Sequence, residues 1–199
     1  DSITSPVKAI VTSDKTSYRI EEVTLTATLT DDMGNAINDT AFKFIFNTPE
    51  GLADIPATIG TDGNYTATFT PTKIGEYNVT ANYAGVINAT FTVYRTLTDL
   101  KYLVGNATEG AIITLDGDYT YNDVFDATFD HITTMRSVTI NGNGYTICGQ
   151  DKVTLFLVQN GYSLTLNNLT IYHFNNSDAN DGEGGAIYVN SGSTLIANY

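Results

Sequence analysis

Residues 155–167 of this sequence lie over residues 186–198 without a gap, at an offset of 31. Val158 falls on Val189 and Gly161 on Gly192, while Ser163 and Ser193 stand one position out of step. An earlier copy, Ser137-Val138-Thr139-Ile140-Asn141, matches Ser163 to Asn167 at an offset of 26. Apolar-x-apolar strands that recur every 20-odd to 30 residues, with Asn or Gly at the corners, spell a solenoid. One such coil cannot bury its apolar side alone, whereas stacked coils share a core. The reading is a right-handed parallel β-helix over residues 96–199, the hand following the crossover preference of parallel strands. Asn141, Asn167 and Asn198 recur just after the apolar pair, so stacking would bring their amides within hydrogen-bonding reach. The corner glycines are expected to supply positive φ.

A solenoid exposes open strand edges at its ends, which invite aggregation. Leu97, Leu100, Leu103 and Val104 fall at helical spacing, with Thr96 or Thr98 as an N-cap and Gly105 near the end. This short amphipathic helix is predicted to plug the first coil.

Residues 1–95 follow a different rule, strict alternation. Val23, Leu25, Ala27 and Leu29 interleave with Thr24, Thr26, Thr28 and Thr30, which puts the apolar set on one face of a strand. Val7 to Thr12, the Phe42, Phe44, Phe46 series, Tyr65 to Phe69, Tyr77 to Tyr83 and Ala89 to Val93 behave similarly, with a hairpin at Asp62-Gly63. About seven strands in under 100 residues is the count of an immunoglobulin-like sandwich. Tyr77, two residues after Gly75, fits either the tyrosine corner of that fold or a plain core position.

Three segments carry a resemblance for this half: residues 23–37, which run from Val23 through Thr30 into Asp31-Asp32-Met33-Gly34-Asn35, then Thr61-Asp62-Gly63-Asn64-Tyr65-Thr66-Ala67, and Gly75-Glu76-Tyr77-Asn78-Val79-Thr80-Ala81. They resemble the bacterial immunoglobulin-like repeats of invasin-type surface proteins. That resemblance implies a stalk or spacer without chemistry of its own. The second half is similar to adhesin-like surface proteins of methanogenic archaea. There the Leu97-Thr98-Asp99-Leu100-Lys101-Tyr102-Leu103 helix precedes residues 110–119, 138–147 and 164–171, then Gly184-Gly185-Ala186-Ile187. The last tetrapeptide also resembles the repeats of chlamydial polymorphic membrane proteins. Their companion Phe-x-x-Asn is missing, because Phe174-Asn175-Asn176-Ser177 ends in Ser. The resemblance implies a large secreted protein anchored to wall or membrane and leaves its ligand open.

Composition narrows the functions. Twenty-two acidic residues against nine basic ones give a net charge of −13, which provides no electrostatic footprint for nucleic acid or an anionic membrane. No apolar run reaches the length of a membrane span. The single cysteine excludes an internal disulfide and an intrachain zinc–thiolate cluster. Cys148 is read as a buried small hydrophobe; a catalytic thiol would need a base, and neither His131 nor His173 is near it in sequence. Both histidines read as structural or solvated, each alone. Gly142-Asn143-Gly144 sits at a coil corner and not before a helix, so it is no phosphate loop.

Sequons stand at Asn38, Asn64, Asn78, Asn88, Asn106, Asn168 and Asn175. In a chain rich in Asn and Thr they arise by chance or mark a glycoprotein, with only outward-facing copies open to modification. The acidic loop from Asp178 to Glu183 is read as solvated, and its spacing departs from an EF-hand calcium loop because Gly182 takes the third ligand position. Asp116, Asp118, Asp123, Asp126 and Asp130 are read the same way. Hydrolysis of a polysaccharide would need two carboxylates facing one cleft, and elimination a base backed by cationic groups. Residues 96–199 offer only Lys101, Arg136 and Lys152 as cations.

The sequence therefore predicts an all-β chain. An immunoglobulin-like sandwich over residues 1–95 is followed by a helix-capped, truncated parallel β-helix over 96–199. The start without Met and the stop at Ala197-Asn198-Tyr199 read as an excised piece of a longer chain. The expected role is a non-enzymatic, monomeric cell-surface or wall adhesin without cofactor. It would contact a surface glycan or protein of another cell, and neither nucleic acid nor membrane. The alternatives are a carbohydrate-active β-helix enzyme, lyase or hydrolase, and a purely structural coat protein.

Overall fold

The computed structural model describes residues 8–175 and 185–199. The chain divides into two compact units, one ending at Tyr94 and the other beginning at Arg95.

In the first unit the strands are β1 (Lys8–Ser13), β2 (Ser17–Tyr18), β3 (Val23–Thr30), β4 (Lys43–Thr48), β5 (Gly51–Pro56), β6 (Thr58–Ile59), β7 (Asn64–Phe69), β8 (Gly75–Ala81) and β9 (Ala89–Val93). They make two sheets, ordered β1-β3-β7-β6 and β2-β9-β8-β4-β5. Pairing is antiparallel except between β2 and β9. In β3 the alternation works as its period demands. Val23, Leu25, Ala27 and Leu29 are buried and join Phe44, Tyr65, Tyr77, Val79 and Phe91 in one core.

Nine strands replace the expected seven. The ones that no alternating segment announced, β2, β5 and β6, carry no inward apolar alternation. Strand β5 lies at a sheet edge with Leu52 76% exposed, so nothing in its hydrophobic pattern announces it.

Buried tyrosines tie loops to this core. The Tyr65 hydroxyl accepts from Asp39 N–H at 2.7 Å and donates to the Ile37 carbonyl at 2.9 Å. Tyr18 donates to Asp14 Oδ1 and accepts from Lys15 N–H, both at 2.8 Å. Tyr77 lies 2.8 Å from the Lys73 carbonyl, four residues upstream, and 2.7 Å from Glu50 Oε1. The first of these contacts is that of a tyrosine corner.

The second unit opens with helix α1 (Leu97–Asn106). Strands β10 (Ala111–Thr114), β11 (Tyr119–Thr120), β12 (Ile132–Thr134), β13 (Val138–Asn141), β14 (Thr146–Cys148), β15 (Phe156–Val158), β16 (Ser163–Asn167), β17 (Thr170–Tyr172), β18 (Ile187–Val189) and β19 (Thr194–Asn198) follow. Every third strand joins the same sheet, giving β10-β13-β16-β19, β11-β14-β17 and β12-β15-β18, all parallel. The register keeps the repeat offsets: Asn141 opposes Asn167, which opposes Asn198. Val138, Ile140, Ile147, Phe156, Val158, Leu164 and Leu166 point inward and form one core.

Thr96 is the N-cap of α1, and its N–H donates to Asp99 Oδ2 at 2.8 Å. Leu97, Leu100 and Val104 enter the core beside Leu115, which follows β10, and Tyr119 and Ile132, on β11 and β12. One detail differs from expectation: Leu103 is 40% exposed and does not belong to the packed face. Gly105 stands next to the last helical residue, before a C-cap at Ala107.

Gly161 and Gly192 do adopt positive φ, 78° and 80°. Gly142 is required for another reason: a Cβ there would stand 2.0 Å from Leu169 Cβ and 2.6 Å from the Asn168 carbonyl oxygen. The chain one coil on passes too close for any side chain.

Candidate contact surface

Residues that alternate with the core set turn outward. On the four-stranded sheet Thr139 and Thr165 form one row with Ile112 and Ile196, and Thr114, Asn141, Asn167 and Asn198 form the next. Asn198 Nδ2 donates to Asn167 Oδ1 at 2.9 Å. These four strands contain no ionisable side chain, so this face is uncharged in a strongly acidic chain, with exposed Ile112 and Ile196 among its polar residues.

The β11-β14-β17 sheet carries more chemistry. Thr120, Cys148 and Tyr172 share its outer row. Asp118, just before β11, accepts from the Thr146 N–H at 2.8 Å and lies 2.9 Å from Thr146 Oγ1. Tyr172 is 42% exposed and stands edge-on to the His173 ring, with centroids 5.2 Å apart. Its hydroxyl is pushed up from its ordinary value, first by a hydrogen bond with Cys148, with the Asp118 charge acting the same way. His173 Nδ1 lies 3.1 Å from Asp151 Oδ2. Gln150, Asp151 and His173 all have left-handed φ, between 49° and 58°. The turn is held by the Asp151 N–H donating to the His173 carbonyl at 2.6 Å and the Gly149 N–H to the Tyr172 carbonyl at 3.2 Å.

Several expectations change against this geometry. The histidines do not stand alone: His173 has Asp151, and His131 Nδ1 lies 3.8 Å from Asp130 Oδ2. Cys148 is buried, but beside Tyr172 on the outer row, while Ile147 fills the core. The acidic stretch 116–130 is not simply solvated. Asp126 is 0% exposed and accepts from Leu97 N–H at 3.2 Å, Thr98 N–H at 2.8 Å and Asn122 N–H at 2.9 Å. Asp130 pairs with Lys101 at 2.7 Å. Partial burial works to raise its carboxyl, but Lys101 and the His131 N–H outweigh this and bring it down to about 2. Asp116 pairs with Arg95 at 3.2 Å, a buried cation of the second unit beyond the three counted from the sequence. Arg136 donates to the Ala107 carbonyl oxygen.

Of the sequon residues, Asn38, Asn64, Asn88, Asn106, Asn168 and Asn175 are exposed, and Asn78 is half-buried in β8. Asn64 Nδ2 donates to the Thr61 carbonyl and Asn106 Nδ2 to the Tyr102 carbonyl. The acidic loop from Asp178 to Glu183 lies outside the described residues. Among the described residues no three His, Cys, Asp or Glu side chains cluster as a metal site, and no helix is long and apolar enough to cross a membrane.

The family described as Invasin, domain 3 matches residues 2–98. The first unit is thus similar to an immunoglobulin-like invasin domain. No curated protein matches the chain. Among solved structures, the Escherichia coli adhesin FdeC shares 28% identity over 43% of this chain and 30% of that one, with a TM-score of 0.38. The Yersinia pseudotuberculosis adhesin InvE shares 21% identity over 43% and 26%, with a TM-score of 0.38. A filamin domain of Lin-41 shares 15% over 43% and 90%, with a TM-score of 0.35. The chain spans under a third of the length of the two adhesin structures.

The Tyr172–His173–Asp151 group was not singled out in the sequence. Strands β14 and β17 are three residues each, too short for a repeat to stand out, and Asp151 and His173 are 22 positions apart.

Proposed function

We propose that this chain is the non-enzymatic, extracellular part of a cell-surface adhesin-like protein. In this reading an immunoglobulin-like spacer leads into the helix-capped start of a right-handed parallel β-helix. The sides of that solenoid offer contact surface to a glycan or protein of another cell. The observation that carries the reading is the order of the three parallel sheets, each taking every third strand at the repeat offsets. The same strand returns at each level, so outward side chains are laid in rows. The match of residues 2–98 to an invasin domain supports the adhesin class.

A carbohydrate-active enzyme would need two carboxylates free to act on one bond. In the stretch 116–130, Asp126 is occupied by backbone N–H groups, and Asp116 and Asp130 by Arg95 and Lys101. A glycan array run beside an assay for released reducing ends separates the readings. The expected result is binding without release. Release of oligosaccharides that stops when an acidic pair is removed would overturn the proposal. A chain that binds neither glycans nor cells would be a structural coat.

A further inference from the structure

We propose that the outer side of the β11-β14-β17 sheet is a binding site for a neutral hexose unit of a glycan, with the Tyr172 ring as its floor. The inference rests on the adhesin reading and names the ligand class and the residues. A pyranose presents one face of C–H bonds and a rim of hydroxyls. The first packs on an exposed aromatic ring, and the second donates to carboxylates. Tyr172 offers such a ring: it lies opposite Cys148 of β14, the strand on which Thr146 holds Asp118, and its neighbour His173 holds Asp151.

Both carboxylates are already held in place. Asp118 is fixed by the Thr146 N–H and hydroxyl. Asp151 is fixed by the His173 imidazole and by its own backbone bond across the turn. A site with little side-chain freedom left loses little entropy on binding. The hydrogen bond of Nδ1 to Asp151 also turns Nε2 of His173 away from that carboxylate, as a further polar contact for a sugar hydroxyl. Gln150, Asp151 and His173 hold the turn in left-handed conformation. Anionic sugars are disfavoured, because two carboxylates flank the ring in a chain of net charge −13.

Saturation-transfer NMR and titration calorimetry on the full chain would use methyl β-glucoside, methyl β-galactoside and N-acetylglucosamine, with choline as a cationic control. At least one sugar should bind, receiving saturation on the C–H protons of one ring face. Tyr172→Ala should weaken that binding about tenfold. Tyr172→Phe, which keeps the ring, should stay within about twofold. Unchanged melting temperatures establish that both variants are folded. Binding that survives Tyr172→Ala would overturn this site while leaving the adhesin reading intact. Choline binding in place of every sugar, or no binding at all, would overturn it as well, with cell adhesion then testing the broader reading separately.

Discussion

Asp126 shows how much one side chain holds in the second unit. It is fully buried, and its two oxygens accept three backbone N–H groups, two of them from the first turn of α1. A helix start leaves such N–H groups without partners inside the helix. Asp126→Ala would bury them unsatisfied, at about 1–3 kcal/mol for each group that water does not reach. A loss of about 3 kcal/mol in urea denaturation of the second unit is expected, and Asp126→Asn should recover part of it. The first unit relies on tyrosine–carboxylate pairs instead. For Glu50, burial works to raise the carboxyl, but the N–H groups of Thr72 and Lys73 and the Tyr77 hydroxyl hold it below its ordinary 4.5. Asp39 is held below 3.8, first by the Tyr83 hydroxyl. A depressed folded value means the contribution is complete above the unfolded value and disappears as pH falls through the folded one. The first unit should therefore lose stability below about pH 4.5, and Glu50→Gln and Tyr77→Phe should each flatten that loss in acid titrations followed by circular dichroism. At the other limit, burial and the Asp14 bond push Tyr18 up to about 12. The stability linked to it is complete below pH 10 and declines as pH rises towards 12.

At the level of the element, the parallel strands were legible because period two and a 31-residue echo coincide in Ser163 to Asn167 and Thr194 to Asn198, where both core side and register follow from the letters. Helix α1 was legible from Leu97, Leu100 and Val104, but Leu103 shares their spacing and faces solvent, since a ten-residue helix over a small core buries only a narrow stripe. Strand β5 was illegible, being held by backbone bonds to β4 rather than by burial. The Tyr172 cluster was illegible too, because a contact between residues 151 and 173 depends on the coil height and not on any local pattern. Glycines test this account of the elements. Gly142→Ala drives a methyl into the Leu169 side chain and the Asn168 backbone, and overpacking of that kind costs about 1–3 kcal/mol. Gly105→Ala meets nothing within 4 Å and sits in α1, so it should stabilise by about 0.5 kcal/mol. Thermal melts of the two variants should move in opposite directions.

Across the whole chain, the two cores have no residue in common. One is built from Ala9 through Val93, the other from Leu97 through Leu166. Cooperative unfolding follows shared buried contacts, so each core should melt as its own unit. The devices argued above also divide cleanly. The tyrosine–carboxylate pairs belong to the first unit, and the Asp126 clasp and the Gly142 close approach to the second. Calorimetry on the full chain should thus resolve two transitions. Acidification from about pH 4.5 downwards should lower the transition of the first unit, and Glu50→Gln should blunt that change. Asp126→Ala should lower the other by about 10–20 °C, given a loss of about 3 kcal/mol and a shift of several degrees per kcal/mol for a domain of this size. A single transition displaced as a whole by either substitution would mean that the two cores fold as one.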